Sequence, residues 1–196
     1  MLNVGITGGI GSGKTTVCRI FEILGIPVFY ADVVAKQLMV TDPELMKGIK
    51  SAFGEMSYHP HGGLNNKHIA SIVFNNQARL DQLNALVHPA VFRAFDSWVR
   101  SVGPTVPYTL KEAALLFESG SYQMSDVNIL VTSPNPLKLA RVMARDQVTE
   151  DQVLARMDKQ FTDEKKAELA DYFIENREQQ SVILQVLSLH QQFSRL

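Results

Sequence analysis

Apolar and β-branched positions alternate from Leu2 to Thr7 and stop at Gly8 and Gly9, after which Val17, Ile20, Phe21 and Leu24 recur at helical spacing over residues 15–24. The pattern predicts a strand, a glycine-rich turn and a helix. Gly25 closes that helix, and residues 26–30 form a second short apolar run that gives way to Asp32. From there to about residue 103 the spacing is helical, with Val33, Leu38, Ile69, Ile72, Leu83, Val87, Val91 and Phe95 among the apolar positions. That is too long for a crossover helix, so it reads as an inserted helical lobe, with a loop over 57–63 that holds Pro60, Gly62 and Gly63. Pro104 and Pro107 separate the lobe from a third strand over 108–117. A fourth strand over 127–132 is followed by Ser133, Pro134 and Pro136. Residues 137–154 and 159–170 read as charged helices, 172–174 as a last strand and 181–193 as a closing amphipathic helix. Short apolar strands alternating with helices imply an α/β chain with a mainly parallel sheet covered on both faces.

Composition narrows the function classes. Of the 196 residues, 45% are hydrophobic and 20% charged, which is ordinary globular usage. A net charge of -1 gives no source for the sequence-independent attraction on which nucleic-acid binding depends. No apolar run approaches the roughly 20 residues of a membrane span. The first residues run straight into a strand pattern without a charged segment and long apolar stretch, so no secretory signal is expected. A single cysteine, Cys18, excludes an intramolecular disulfide and fits a reducing, cytoplasmic setting; it is expected to pack as a small buried hydrophobe.

The chemistry begins at Gly8-Gly9-Ile10-Gly11-Ser12-Gly13-Lys14-Thr15, a full match to G-x-x-x-x-G-K-[ST] between a strand and a helix. At background glycine usage, chance supplies such a string in roughly one chain of this length in a hundred. Glycines let successive main-chain N–H groups, including those of Gly11, Ser12 and Gly13, turn toward phosphate oxygens at the positive end of the following helix. Lys14 supplies a compact cation over the phosphates, Thr15 a hydroxyl for the Mg²⁺ that accompanies ATP, and Thr16 a further phosphate contact.

Such a loop does not by itself separate switches, motors and kinases. Asp32 follows the second strand, and in an open parallel sheet the carboxyl ends of the strands face the ligand crevice. It reads either as the carboxylate that receives an acceptor hydroxyl's proton or as the N-cap of the next helix. Glu112 and Glu118 flank the apolar stretch of the third strand, as Mg²⁺-assisting acids or as surface carboxylates. Arg141 and Arg145 lie one helical turn apart and share a face, suited to closing over ATP or to a solvated, ion-paired surface. His59 and His61 lack metal-ligand spacing, and His88 before Pro89 reads as a helix-boundary or packing residue. No Asn-Lys-x-Asp guanine signature occurs, which favours adenine, and the arginine pair favours transfer over a nucleotide-dependent switch; a kinase for nucleosides or other small metabolites is the neighbouring alternative.

Taken together, Val4 to Thr15, Tyr30-Ala31-Asp32, His88-Pro89, Leu115-Leu116-Phe117-Glu118, Leu139-Ala140-Arg141 through Arg145-Asp146, and Ala170-Asp171-Tyr172 through Asn176 resemble the dephospho-CoA kinase family, in order and over almost the whole chain. The resemblance implies a P-loop NTPase fold with a central parallel five-stranded sheet flanked by helices. Residues 1–31, 104–136 and 171–196 would form the nucleotide-binding core, 32–103 a helical domain for dephospho-CoA, and 137–170 a helical lid. It also implies that Asp32 acts on the ribose 3′-hydroxyl with Lys14 and Arg141 in catalysis, that Arg145 and Asn176 bind ATP with Asn176 near the adenine, and that the partner is this small molecule, with no nucleic acid, no membrane and at most weak self-association. Ala114 stands where the family usually has proline, and Lys138 where glutamine is common.

Overall fold

The computed structural model describes residues 1–74 and 76–195. The first alternating segment forms β1 (Leu2–Thr7), and a loop leads from it into α1 (Lys14–Ile23), which Gly25 at φ 84° helps to close. Then come β2 (Val28–Tyr30), β3 (Tyr108–Glu112), β4 (Val127–Thr132) and β5 (Tyr172–Glu175). All pair in parallel, in the order β2-β3-β1-β4-β5. β1 is therefore central, and the chain leaves β1 toward one edge of the sheet before returning to β4 on its other side. That reversal creates a crevice at the carboxyl end of β1.

Alternation divides the two faces of the sheet. Val4, Ile6, Tyr108, Leu110, Ile129, Val131 and Ile174 belong to one buried cluster with Val17 and Phe21 of α1 and with Val186, Leu189 and Phe193 of α9 (Val182–Phe193). Each such side chain fully buried contributes about 1.5–3 kcal/mol. Cys18 lies in this cluster with no exposed surface, and burial together with the Glu112 carboxylate pushes its thiol pKa well up, so it packs rather than reacts. Asn3, Thr109, Lys111 and Asn128 fall at the alternate strand positions. There the Thr109 hydroxyl donates to Asn3 Oδ1 at 3.0 Å, and Lys111 Nζ donates to the Ser121 carbonyl at 2.8 Å.

The third strand ends at Glu112, five residues short of the expected Phe117. After Ala113 donates to the Ile6 carbonyl, the chain folds into tight turns in which Ser119 N–H reaches Leu115 O and Gly120 N–H reaches Phe117 O. Leu116 and Phe117 are buried by those turns, and an apolar run buried in this way has the same sequence pattern as a strand. The charged region also differs from the expected pair of helices. It comprises α6 (Asn135–Asp146), α7 (Glu150–Met157), opened by a Thr149–Gln152 capping box, and α8 (Asp163–Ala167), which starts after Thr162 as N-cap.

By packing density the chain divides into two units, residues 1–30 with 102–196, and residues 31–101. The second contains α2 (Ala31–Thr41), α3 (Pro43–Phe53), α4 (Asn66–Val73) and α5 (Gln77–Ser101). Asp42 caps α3, accepting from Glu44 N–H at 3.0 Å and Leu45 N–H at 3.1 Å, with Pro43 preset at the first helical position. Asn65 caps α4. Leu45, Ile49 and Phe53 of α3, Ile69 of α4, and Val87, Ala90, Val91 and Phe95 of α5 are buried, as is Tyr58 in the loop between α3 and α4.

His88 is not at a helix boundary: α5 runs through Pro89 without a break. Buried side chains on both sides of the proline, Val87 before it and Ala90 and Val91 after it, offset the missing N–H. His88 itself is half-buried beside Phe92, and desolvation lowers its pKa below the ordinary 6.5. A depressed folded-state value favours folding above the unfolded pKa, and that contribution is lost as pH falls from about 6.5 through the folded value. Urea unfolding followed between pH 7.5 and 5 is expected to show a smaller loss of stability in His88→Gln than in the wild type; parallel slopes would contradict the assignment.

Candidate active site: a clamped phosphate loop

The loop between β1 and α1 owes its shape to two glycines. Gly13 is the N-cap of α1 at φ 96°, and a β-carbon there would collide with the side-chain amide nitrogen of Asn176. Gly11 has φ 79°, and its β-carbon would come to 2.5 Å from the Lys138 carbonyl oxygen. Conformation and crowding therefore both demand glycine. Ser12 N–H donates to the Gly9 carbonyl at 3.1 Å, which closes the turn, and the Ser12 side chain is fully buried. The Lys14 ammonium curls back over the loop, 2.7 Å from Gly8 O and 3.3 Å from Gly9 O. Thr15 and Thr16 are exposed at the first turn of α1, where the helix dipole is positive; Thr16 N–H donates to Gly13 O at 3.0 Å.

A second segment fastens the loop from outside. Asn176 follows β5, and its backbone N–H donates to Thr132 O at 2.8 Å, which carries the β4–β5 pairing one residue further. Its side-chain NH₂ donates to Ser12 O at 2.9 Å, and its carbonyl oxygen accepts from Arg141 at 3.4 Å. Arg141 also donates to Ser133 Oγ at 3.0 Å and to Gly11 O at 3.4 Å, and the Ser133 hydroxyl donates to Asn176 O at 2.9 Å. Arg141, Asn176 and the loop thus form one hydrogen-bonded unit. Beside it a shallow cavity of about 150 Å³ is lined by Thr132, Ser133, Pro134, Glu175, Asn176 and Arg177.

The remaining expected residues are placed differently. Arg145 is exposed and forks onto Asp146 at 2.7 and 3.1 Å, and Arg156 reaches the same carboxylate at 2.8 Å. These guanidiniums hold the Asp146 carboxyl well down, at about 2. Glu112, the last residue of β3, is buried in register with Ile6 and Tyr30 at the carboxyl end of the sheet. Glu118 lies not at a strand end but in the turns that follow, where its Oε1 accepts from Phe161 N–H at 2.8 Å and sits 3.1 Å from the fully buried Lys166. Asp32 is exposed inside the first turn of α2, which begins at Ala31, so it is not the N-cap. Among the described residues no group of three or more His, Cys, Asp or Glu is arranged to hold a metal.

Sequence reasoning missed Gln160, Ser133 and the ion pair of Lys138 with Asp163, 2.6 Å apart and against the loop at Gly9. Lys138 is visible in the sequence only as a departure from the family's glutamine. Gln160 touches Ile10 across 150 positions and carries no local signal at all.

The dephospho-CoA kinase sequence profile matches residues 2–181, nearly the whole chain and both sides of the loop just described. The chain belongs to the dephospho-CoA kinase family. Family members from Salinibacter ruber and Chlorobium chlorochromatii are each 44% identical to it, over 90% and 89% of this chain and 89% and 85% of theirs. Among solved structures, a Thermus thermophilus protein superposes with a TM-score of 0.86 at 31% identity, covering 97% of this chain and 96% of that one. The dephospho-CoA kinase of Campylobacter jejuni gives 0.71 at 26%, covering 98% and 97%. Shikimate kinase from Acinetobacter baumannii, at 17% identity and a TM-score of 0.55, shares the fold.

The crowding at Gly13 gives a direct test within this family frame. Gly13→Ala is expected to weaken ADP and ATP binding at least about tenfold in calorimetric titration, since a left-handed alanine costs roughly 1–2 kcal/mol before any collision. Adding Asn176→Ala removes the collision but also the amide that fastens Ser12 O and Arg141, so no recovery of affinity is expected. Wild-type affinity in Gly13→Ala would contradict this account of the loop.

Proposed function

We propose that the chain transfers the γ-phosphoryl group of ATP to the ribose 3′-hydroxyl of dephospho-CoA, giving CoA and ADP. The observation that carries this reading is the phosphate loop itself, held by Asn176 and Arg141 in a chain of this family. The loop amides and the α1 N-terminus bind the phosphate oxygens, and the Lys14 ammonium leaves its carbonyl acceptors for the bridging and terminal oxygens. Arg141, already donating to the loop carbonyl of Gly11, adds positive charge where the equatorial oxygens gather it in transfer. Asn176 and the cavity beside Pro134 and Arg177 supply a seat for the adenine.

Asp32 stands two residues beyond Tyr30, at the end of β2, and the carboxyl ends of the parallel strands share the edge from which the phosphate loop departs. In this proposal its carboxylate takes the proton of the 3′-hydroxyl as the oxygen–γ-phosphorus bond forms and the bond from that phosphorus to the bridging oxygen breaks. Residues 31–101 receive the acceptor, and α6 to α8 act as the lid, with Arg145 on its outer face reaching ATP on closure. Magnesium neutralises charge on the β- and γ-oxygens when bound. The residues present fit an ion that arrives with the triphosphate, because Thr15 is open at the helix terminus and Glu112 lies at the adjoining strand end, without a full protein cage. Glu118, with its oxygen engaged by Phe161 and Lys166, anchors the lid connector in this scheme.

Among the described residues no helix is long and apolar enough to cross a membrane, and the substrates proposed here are cytoplasmic metabolites; a monomer or weak homo-oligomer suffices for the chemistry.

A coupled ADP-release assay with Mg-ATP tests the reaction, with dephospho-CoA as acceptor and adenosine and nucleoside monophosphates as controls. Turnover is expected with dephospho-CoA alone; preference for a nucleoside would overturn the acceptor. Asp32→Asn is expected to keep ATP affinity and lose turnover by roughly 10² or more. Undiminished turnover would remove Asp32 from the role of base.

A further inference from the structure

The connector between α7 and α8 meets the phosphate loop through one side chain. Gln160 Oε1 accepts from the main-chain N–H of Ile10 at 2.9 Å, and Gln160 Nε2 donates to the carbonyl of Ala114, just past β3, at 3.3 Å. Its own N–H is fixed to Met157 O at 2.9 Å at the end of α7, and the next N–H, that of Phe161, is fixed to Glu118 at 2.8 Å. The carboxamide is therefore held on both sides and uses its acceptor and its donor in opposite directions. No other neutral side chain of that length supplies both at once.

We infer that Gln160 is a positioning residue for phosphoryl transfer, setting the upstream half of the phosphate loop relative to the end of β3. The inference rests on the kinase reading above. Ile10 lies in the half of the loop whose carbonyls, those of Gly8 and Gly9, hold the Lys14 ammonium. That lysine serves the β- and γ-phosphates, whereas the amides at the α1 N-terminus serve the phosphates common to ADP and ATP. A loop released at Ile10 keeps its helix-terminal amides and keeps the ammonium's charge beside the β-phosphate, but shifts that ammonium relative to the γ-phosphoryl being transferred. Displacements on the order of 1 Å at a reacting group cost up to about 10² in rate.

The test is steady-state kinetics of Gln160→Met and Gln160→Glu with Mg-ATP and dephospho-CoA, alongside calorimetric ADP binding, which also reports that each variant is folded. Gln160→Met keeps the bulk and removes both polar ends. It is expected to lower kcat by roughly tenfold or more, with KM for ATP and ADP affinity within about threefold of the wild type. Gln160→Glu separates hydrogen bonding from packing, because a protonated carboxyl again offers one donor and one acceptor, whereas a carboxylate only accepts. The kcat ratio of Gln160→Glu to wild type is expected to rise as pH falls from 8 to 5, while the ratio for Gln160→Met stays flat. Wild-type kcat in Gln160→Met, loss of ADP binding in parallel with kcat, or a pH-independent ratio for Gln160→Glu would each overturn the inference. Wild-type protein without turnover on dephospho-CoA would instead take down the proposed reaction, and this inference with it.

Discussion

Main-chain N–H groups can be aimed at a phosphate only if the chain turns tightly enough to point several of them inward, and here that turn requires left-handed glycines at the end of the central strand. The strain has to be held by its surroundings. β1 supplies the rigid base because it is paired on both sides, to β3 and to β4. α1 supplies the other end, anchored through Val17, Cys18 and Phe21 in the apolar cluster. Between them the loop carbonyls that would otherwise face solvent are taken by Lys14, Asn176 and Arg141.

From this constraint follows the arrangement of the charged helices. α6 brings Arg141 and the buried Lys138 to the loop, and α8 returns Asp163 to Lys138 and Lys166 to Glu118. Removing two ammonium groups from water costs several kcal/mol per ion before any attraction is regained, so these pairs contribute little net stability. What they provide is register. A lysine without its carboxylate is costly where it lies, and that fixes how the connector of residues 158–162 meets the phosphate loop.

Much of this was legible in the sequence because the features concerned are local. The phosphate loop is a contiguous string, and the short apolar strands with their intervening helices imposed the parallel sheet. The segment from Ala113 to Phe117 misled because burial in a knot of turns and burial in a strand leave the same apolar pattern. At His88-Pro89 the packing alternative holds and the boundary alternative fails, because long-range packing along α5 overrode a local helix breaker. Gln160 and Ser133 were not legible for a third reason: each joins two segments that meet only in the fold, Gln160 linking Ile10 to Ala114 and Ser133 linking Arg141 to Asn176, and neither residue type nor spacing records such bonds.

The central claim is that the loop from Gly8 to Thr15 grips a triphosphate with Lys14 as its cation. Calorimetric titration of the wild type and Lys14→Ala with Mg-ATP tests it most directly. The account predicts saturable binding at one site per chain in the wild type, and affinity lower by about tenfold or more in the variant, as expected for loss of a charge-assisted contact. Absence of saturable binding by the folded wild type, or equal affinity in the two proteins, would contradict it.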